Sequence, residues 1–247
     1  MRVLSYNILH GGTGRAPRIA AVIRGATPDL VLLQEATDPA VVAELARETG
    51  MDAWGAHPRY STAYLSRAPV ASHRWLTPRG ARHPFLEVVL EDGVSRAFGL
   101  HLSAWFSKWS ERRRARELRL LLESIREHEH GFHFLAGDFN ALAPGERLEA
   151  WRMPRWIQAM IWVSGRDIAR DTIQLMLDSG YVDAWRVRHP AHPGHTFPTW
   201  DPHVRLDYVF LPSRYAARLS AVEILTGATD AKDASDHYPL LAVVDEG

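Results

Sequence analysis

The chain has 247 residues, 46% hydrophobic and 23% charged, with a formal net charge of +0 and no cysteine. That length supports one large domain with a sizeable core, and the balanced charge gives no general attraction to nucleic acid or anionic membrane, leaving only local patches to supply one. The missing cysteines exclude disulfides and thiolate metal sites, and no apolar run approaches the ~18 residues of a membrane span, so a cytoplasmic monomer is the expectation.

The sequence opens directly on a strand-like segment, RVLSYN (2–7), with no apolar leader before it. Pro17 suits a first helical turn, and Ile19, Val22, Ile23 and Ala26 follow on one face. DLVLLQ (29–34) reads as a strand and residues 38–49 as a second helix. STAYLS (61–66), FLEVVL (85–90) and SRAFGLHL (95–102) are strands at short intervals. A third helix spans about 110–128, with Leu118, Leu121, Leu122 and Ile125 as its apolar stripe. FHFLAG (132–137), RLDYVFL (205–211) and PLLAVV (239–244) complete the strands. Closely spaced strands beside strand–helix pairs predict a layered α/β protein with sheet-on-sheet packing, in one domain over 1–247.

A helical insert at about 145–180 departs from this rhythm, broken by Pro154 and by Ser164-Gly165. Its first half, WRMPRWIQAMIWV (151–163), is apolar nearly all round, which predicts a helix buried against the core. The alternatives are an exposed surface that grips lipid or substrate, and a lid, because the insert starts directly after LAGDFNAL (135–142).

Polar residues stand repeatedly where apolar strands end: Asn7, Glu35, His101, Asp138, Asn140, Asp207, Asp236 and His237. Ligands bind at such strand ends in α/β proteins. Singly, each has an ordinary explanation as a turn former, a helix cap or a hydrogen-bonded core residue. Four converging carboxylates, however, need a compensating cation or imidazolium. With no thiolate and no HExxH histidine pair, the matching ion is hard, Mg2+ with Mn2+ as a substitute. Such an ion suits phosphate ester chemistry, where it polarises a phosphoryl oxygen while a carboxylate or histidine positions water.

SYN, LLQE, HL, GDFN, RLDYVF and SDH, in this order from residue 2 to about 244, resemble the endonuclease/exonuclease/phosphatase superfamily of metal-dependent phosphoesterases. The resemblance implies a four-layered α/β/β/α sandwich of two mixed sheets flanked by helices, with the site at one edge of the paired sheets. It makes Glu35 the principal metal ligand, with Asn7 and Asp236 in the metal and phosphate shell. It makes Asp138 the acid that orients or activates water, Asn140 a phosphate-holding amide and His101 a contact to the scissile phosphate. Asp207 and His237 match a hydrogen-bonded pair whose imidazole is a phosphate ligand or general base. Some members carry an acid two residues after the first asparagine; here that position is Leu9, which favours one tightly held ion over two.

The core motifs address only the phosphate, so substrate choice falls to other segments. Trp105, Trp109 and the arginines of 112–119, Arg113 among them, suit a nucleic acid. Trp151, Trp156, Met160, Ile161 and Trp162, if exposed, suit a membrane surface. His195, Trp200 and Arg205 suit a compact polar pocket. A phosphodiesterase is the favoured expectation, with a phosphomonoesterase for a phosphorylated sugar or inositol as the alternative and a non-catalytic binding module as the competing class.

Overall fold

The computed structural model describes residues 1–92, 95–105, 107–163, 168–228 and 230–245. Its first strand, β1 (Arg2–Asn7), lies parallel to β2 (Leu30–Gln34) through the crossover helix α1 (Ala16–Ala26). After α2 (Pro39–Thr49), the antiparallel pair β3 (Ala53–Gly55) and β4 (Ala63–Ser66) extends that sheet beyond β2. The chain then crosses to a second sheet: β5 (Val70–Leu76), β6 (Phe85–Leu90) and β7 (Arg96–His101) run antiparallel. Helix α3 (Lys108–Ser124) is the crossover to β8 (His133–Asp138), parallel to β7.

Two helices of the insert follow, α4 (Arg155–Val163) and α5 (Asp171–Asp178), then β9 (Tyr181–Asp183), α6 (Ala184–Arg188) and β10 (Asp207–Pro212). The chain returns to the first sheet through β11 (Leu219–Ile224), α7 (Ala231–Ala234) and β12 (Leu240–Val244). The sheet orders are β11-β12-β1-β2-β4-β3 and β5-β6-β7-β8-β10-β9, and β1 and β2 lie across from β7 and β8.

Alternation along the strands makes the layers, because successive side chains face opposite sides of a sheet. Leu4, Tyr6, Val31 and Leu33 face outward under α1 and α2, with Ile19, Ile23, Val42 and Leu45. Val3, Leu30 and Leu32 face inward and meet Leu86, Val88, Phe134 and Ala136 of the second sheet. Phe98, Leu100, Leu135 and Phe210 face outward again under Leu118 and Leu121 of α3 and Ile173 and Met176 of α5. The result is the α/β/β/α sandwich that the resemblance implies. No helix of the described residues is long and apolar enough to cross a membrane.

Four strands went unread in the sequence. β3 and β9 have three residues each, and β5 (VASHRWL) lies half in solvent, so neither length nor hydrophobic alternation marks them. β11 is likewise only partly buried. The insert departs more sharply from expectation. Its second helix buries one face, Thr172, Ile173 and Met176, but 151–163 is largely uncovered: Trp151, Trp156, Trp162 and Val163 are exposed, and only Met153 and Ile161 are buried. These two join a small satellite core with Leu142, Ile168, Val204 and Leu206, too small to cover a helix that is apolar all round. The break read at Ser164-Gly165 lies outside the described residues.

One residue of GDFN explains how tightly the site is built. Gly137 has φ 153°, and a Cβ there would sit 1.9 Å from the Leu100 carbonyl oxygen of β7. Gly137→Ala is expected to destabilise the protein by about 3 kcal/mol or more, from overlap with backbone that cannot move aside. Urea unfolding monitored by circular dichroism reads this directly; a midpoint unchanged from wild type would contradict it.

Candidate active site

The two parallel strand pairs carry polar groups to one edge of the sandwich. Asn7 closes β1 beside Gln34, the residue before Glu35; His101 closes β7 directly opposite Asp138, and Asp207 opens β10 opposite Asp138 on its other side. Past these ends the chain turns through left-handed backbone, with φ 56° at Glu35 and 50° at Asn140. Such conformations in residues with side chains cluster at functional sites.

Asp138 is the centre of the arrangement and is almost fully buried. Its Oδ1 accepts from the Asn140 backbone N–H at 2.9 Å, and its Oδ2 accepts from Asn7 Nδ2 at 3.1 Å. The same Asn7 amide donates to Glu35 Oε1 at 3.3 Å, while its Oδ1 accepts from the Leu9 N–H, so in this geometry it bridges two acids. Glu35 Oε2 also accepts from the His10 N–H at 2.7 Å. Asn140 Nδ2 donates to the Leu102 carbonyl at 3.0 Å, which pins the segment leaving β7 and leaves its second amide hydrogen free of that bond.

His237 Nδ1–H donates to Asp207 Oδ2 at 2.8 Å, fixing the tautomer so that Nε2 points toward Asp138 Oδ2, 3.9 Å away. His101 Nε2 approaches the same oxygen at 3.8 Å. Both distances are too long for direct hydrogen bonds. Two imidazoles and a carboxylate therefore face a common space.

Burial sets the charges. It drives the His237 ring toward neutrality, but Asp207, Asp138 and Asp236 outweigh it and push its pKa up to about 10. Burial, together with Asp207, pushes Asp138 up to about 7 against the pull of His237. Burial brings His101 down to about 4, so that ring is neutral at pH 7. Glu35 is raised by burial, yet the His10 N–H, His101 and Asn7 more than reverse this and hold it below the usual carboxylate range. Burial and the neighbouring Glu35 raise Asp236.

The sequence-derived set Asn7, Glu35, His101, Asp138, Asn140, Asp207, Asp236 and His237 is thus brought together. Four carboxylates meet one imidazolium, an excess of negative charge that fits a divalent cation. No three His, Cys, Asp or Glu side chains of the described residues form a cage for a metal ion. Glu35 and Asp236 are the carboxylates left for it, a donor set that suits a hard ion retaining most of its water.

The substrate candidates separate. Trp105 is exposed at φ 92°, its ring edge-to-face with Trp156 at 5.4 Å. Arg113 is exposed on α3, its Nε 3.9 Å from Glu117. His195 lines a cavity of about 620 Å³ with Glu146, Arg186, His203 and Arg205, and none of the eight strand-end residues reaches that cavity.

Arg205 lines that cavity but is buried: it donates to Glu146 at 2.6 Å, pairs with Asp183 at 2.6 Å and lies 4.3 Å over the Tyr208 ring. Arg114, one of the arginines credited to a polyanion site, is also buried. It donates to Glu111 and to the Ser103 and Trp105 carbonyls, so it anchors the loop after His101.

Three positioning residues escaped the sequence reading. Ser235 Oγ donates to the Asn7 carbonyl at 2.6 Å and joins the two halves of the site. Its position in SDH was the available signal. Thr196 Oγ1 accepts from the Leu206 N–H at 3.1 Å, and the Phe197 ring stands 4.8 Å from the His237 ring. Nothing in the local sequence marks either.

Comparison with known proteins gives the family and the fold. A model of the Endonuclease/Exonuclease/phosphatase family matches residues 4–237. No curated protein matches the chain. Among solved structures, a variant of the 3' phosphatase NExo from Neisseria bound to product DNA hairpin superposes with TM-score 0.74 at 19% identity, covering 100% of both chains. An AP endonuclease from Archaeoglobus fulgidus superposes with TM-score 0.76 at 17% identity, again covering 100% of both. A humanized D. rerio TDP2 superposes with TM-score 0.67 at 18% identity, covering 100% of this chain and 99% of that one.

Two measurements follow from the charges. His237 is raised in the folded protein above its ordinary value of ~6.5, so its stabilisation is complete below about pH 6.5 and is lost as pH rises toward 10. In metal-free protein, urea unfolding of wild type and Asp207→Asn should therefore show a stability gap that is widest below about pH 6.5 and narrows toward pH 10. A gap independent of pH would rule out a protonated His237. Arg205→Ala, which takes the cation from buried Asp183 and leaves Glu146 only Arg186, should cost about 3–5 kcal/mol of folding stability, read as a fall in urea midpoint.

Proposed function

The chain belongs to the Endonuclease/Exonuclease/phosphatase family and is a hydrolase acting on phosphate ester bonds; from that premise we propose a Mg2+-dependent phosphodiesterase whose attacking water is oriented by Asp138. The observation that carries this reading is the setting of Asp138, braced by Asn140 and Asn7 and facing both His101 and His237 across gaps of 3.8 and 3.9 Å.

Glu35 and Asp236 would hold the magnesium ion, with Asn7 at the border between the metal and Asp138. When bound, the ion polarises a phosphoryl oxygen and offsets charge on the leaving oxygen. Asp138, with a pKa pushed up to about 7, is matched to take a proton from water at neutral pH. His237, charged and fixed by Asp207, donates from Nε2 to a phosphoryl oxygen, where charge grows in the transition state. The neutral His101 and the second amide hydrogen of Asn140 hydrogen-bond the phosphate without adding charge. Asp207 acts through His237 and is a positioning residue.

Bis(p-nitrophenyl) phosphate provides the test, with p-nitrophenyl phosphate as the monoester comparison. Turnover of the diester should require Mg2+ or Mn2+, stop with EDTA and be abolished by Glu35→Ala and by His237→Ala. Asp138→Asn should fold and bind metal better than Glu35→Gln yet lower kcat by about 10²–10⁴-fold. Metal-independent turnover, or an Asp138→Asn enzyme near wild-type rate, would overturn the assignment. Preference for the monoester would replace the diesterase reading with a phosphatase.

A further inference from the structure

Seven of the nine tryptophans are exposed, and all but Trp54 fall in three segments that leave the active site: Trp105 and Trp109 after His101, Trp151, Trp156 and Trp162 after Asn140, and Trp200 close to Phe197. A large aromatic side chain ordinarily buries most of its surface, so a group of exposed ones marks a contact surface. These three segments are physically joined. Trp105 touches Trp156, with ring centroids 5.4 Å apart. Arg152, over the Trp151 ring, pairs with Asp201, the neighbour of Trp200. Trp200 lies 6.3 Å from Phe197, which in turn lies against His237.

Charge on this face has one sign. Residues 150–163 contain no carboxylate, and the one carboxylate in 104–113, Glu111, is buried with Arg114 and the Thr172 N–H. The flanking Glu149 and Asp201 are both taken by Arg152. Lys108, Arg112, Arg113 and Arg155 remain exposed beside the tryptophans. The outward side of α4 presents Trp156, Ala159, Trp162 and Val163, the last 78% exposed.

We propose that this face docks on an anionic lipid bilayer and that the phosphodiester reaching the site belongs to a lipid headgroup. The second half of the proposal rests on the phosphodiesterase reading; the first does not. Tryptophan belongs at the interface between water and lipid, and exposed cations beside an apolar helix face add attraction to anionic headgroups. A single-stranded nucleic acid would share the attraction to the cations and could stack on tryptophan. It has no use for Ala159 and Val163, which offer neither a stacking plane nor a hydrogen bond. The edge-to-face Trp105–Trp156 contact also fails to make a pair of parallel plates for a base. A bilayer accepts all of these side chains, and Phe197 and Trp200 bring its surface close to His237.

The experiment is vesicle flotation of the full chain carrying Glu35→Gln without added metal, so that turnover plays no part. Vesicles of equimolar phosphatidylcholine and phosphatidylglycerol should carry the protein up with a blue shift in tryptophan emission, and pure phosphatidylcholine should carry far less. The double variant Trp109→Ser/Trp162→Ser, whose two side chains are exposed and make no ring contact among the described residues, should bind the anionic vesicles at least ~10-fold more weakly. In the wild-type background it should retain turnover of soluble bis(p-nitrophenyl) phosphate and lose release of headgroup from vesicles.

No binding to anionic vesicles, or equal binding by the double variant, would overturn the docking surface. So would tight binding of a single-stranded oligonucleotide that the double variant loses. Docking without release of any headgroup from vesicles, while the soluble diester is turned over, would overturn the lipid substrate alone. Docking with no turnover of the soluble diester would instead count against the catalytic reading.

Discussion

Two buried carboxylates, Asp138 and Asp207, occupy directly paired positions on neighbouring strands, and the imidazolium of His237 makes that arrangement tolerable. Without a positive charge between them the pair could not remain ionised, because like charges in a poorly solvated site force one to take a proton. The structure resolves the conflict unequally. Asp207 keeps the direct bond to His237, whereas Asp138 is left partly compensated with its pKa lifted to about 7. In the proposed reading, that inequality separates a positioning acid, Asp207, from one that accepts a proton, Asp138.

The rest of the fold exists to hold this edge together. Central parallel pairs, one in each sheet, carry their C-terminal ends to the same rim, and the crossover helices that make the pairs parallel also form the outer layers. At Gly137 the backbones of β7 and β8 approach too closely for any side chain, so His101 and Asp138 stand in register. Ser235 and Arg15 then tie one half to the other: the hydroxyl donates to the Asn7 carbonyl, and the guanidinium donates to the carbonyls of Leu9 and Ala234. These bonds cross the chain from its first strand to its last helix and keep Asp236 beside Glu35.

Much of this was legible beforehand, for a physical reason. A polar residue that ends a buried strand has an ordinary explanation by itself, but eight of them in order leave few alternatives. The layered fold was legible for a similar reason, since long alternating strands and striped helices write their burial into their spacing. The short strands β3 and β9 were not, because three residues carry no period. Nor could spacing separate Arg113 from Arg114. Consecutive side chains on a helix point about 100° apart, so helix phase decides which is exposed and which is sealed with Glu111, and that phase depends on what α3 packs against. Nor could spacing show that Arg205 pairs with Glu146 and Asp183, partners distant in sequence.

The Trp-rich insert shows where the boundary falls. By itself the sequence determined that 151–163 is apolar nearly all round, and that Glu35, Asp138, Asp207 and Asp236 require a cation or imidazolium wherever they meet. Whether such a helix is covered is a property of its surroundings, and the satellite core of Leu142, Met153, Ile161, Ile168, Val204 and Leu206 reaches one side only. Tertiary structure alone decided that the tryptophans face outward beside the candidate site. Tertiary structure alone also distributed charge among the acids, because desolvation and distances of 3 to 4 Å set a pKa and neither can be read from the order of residues.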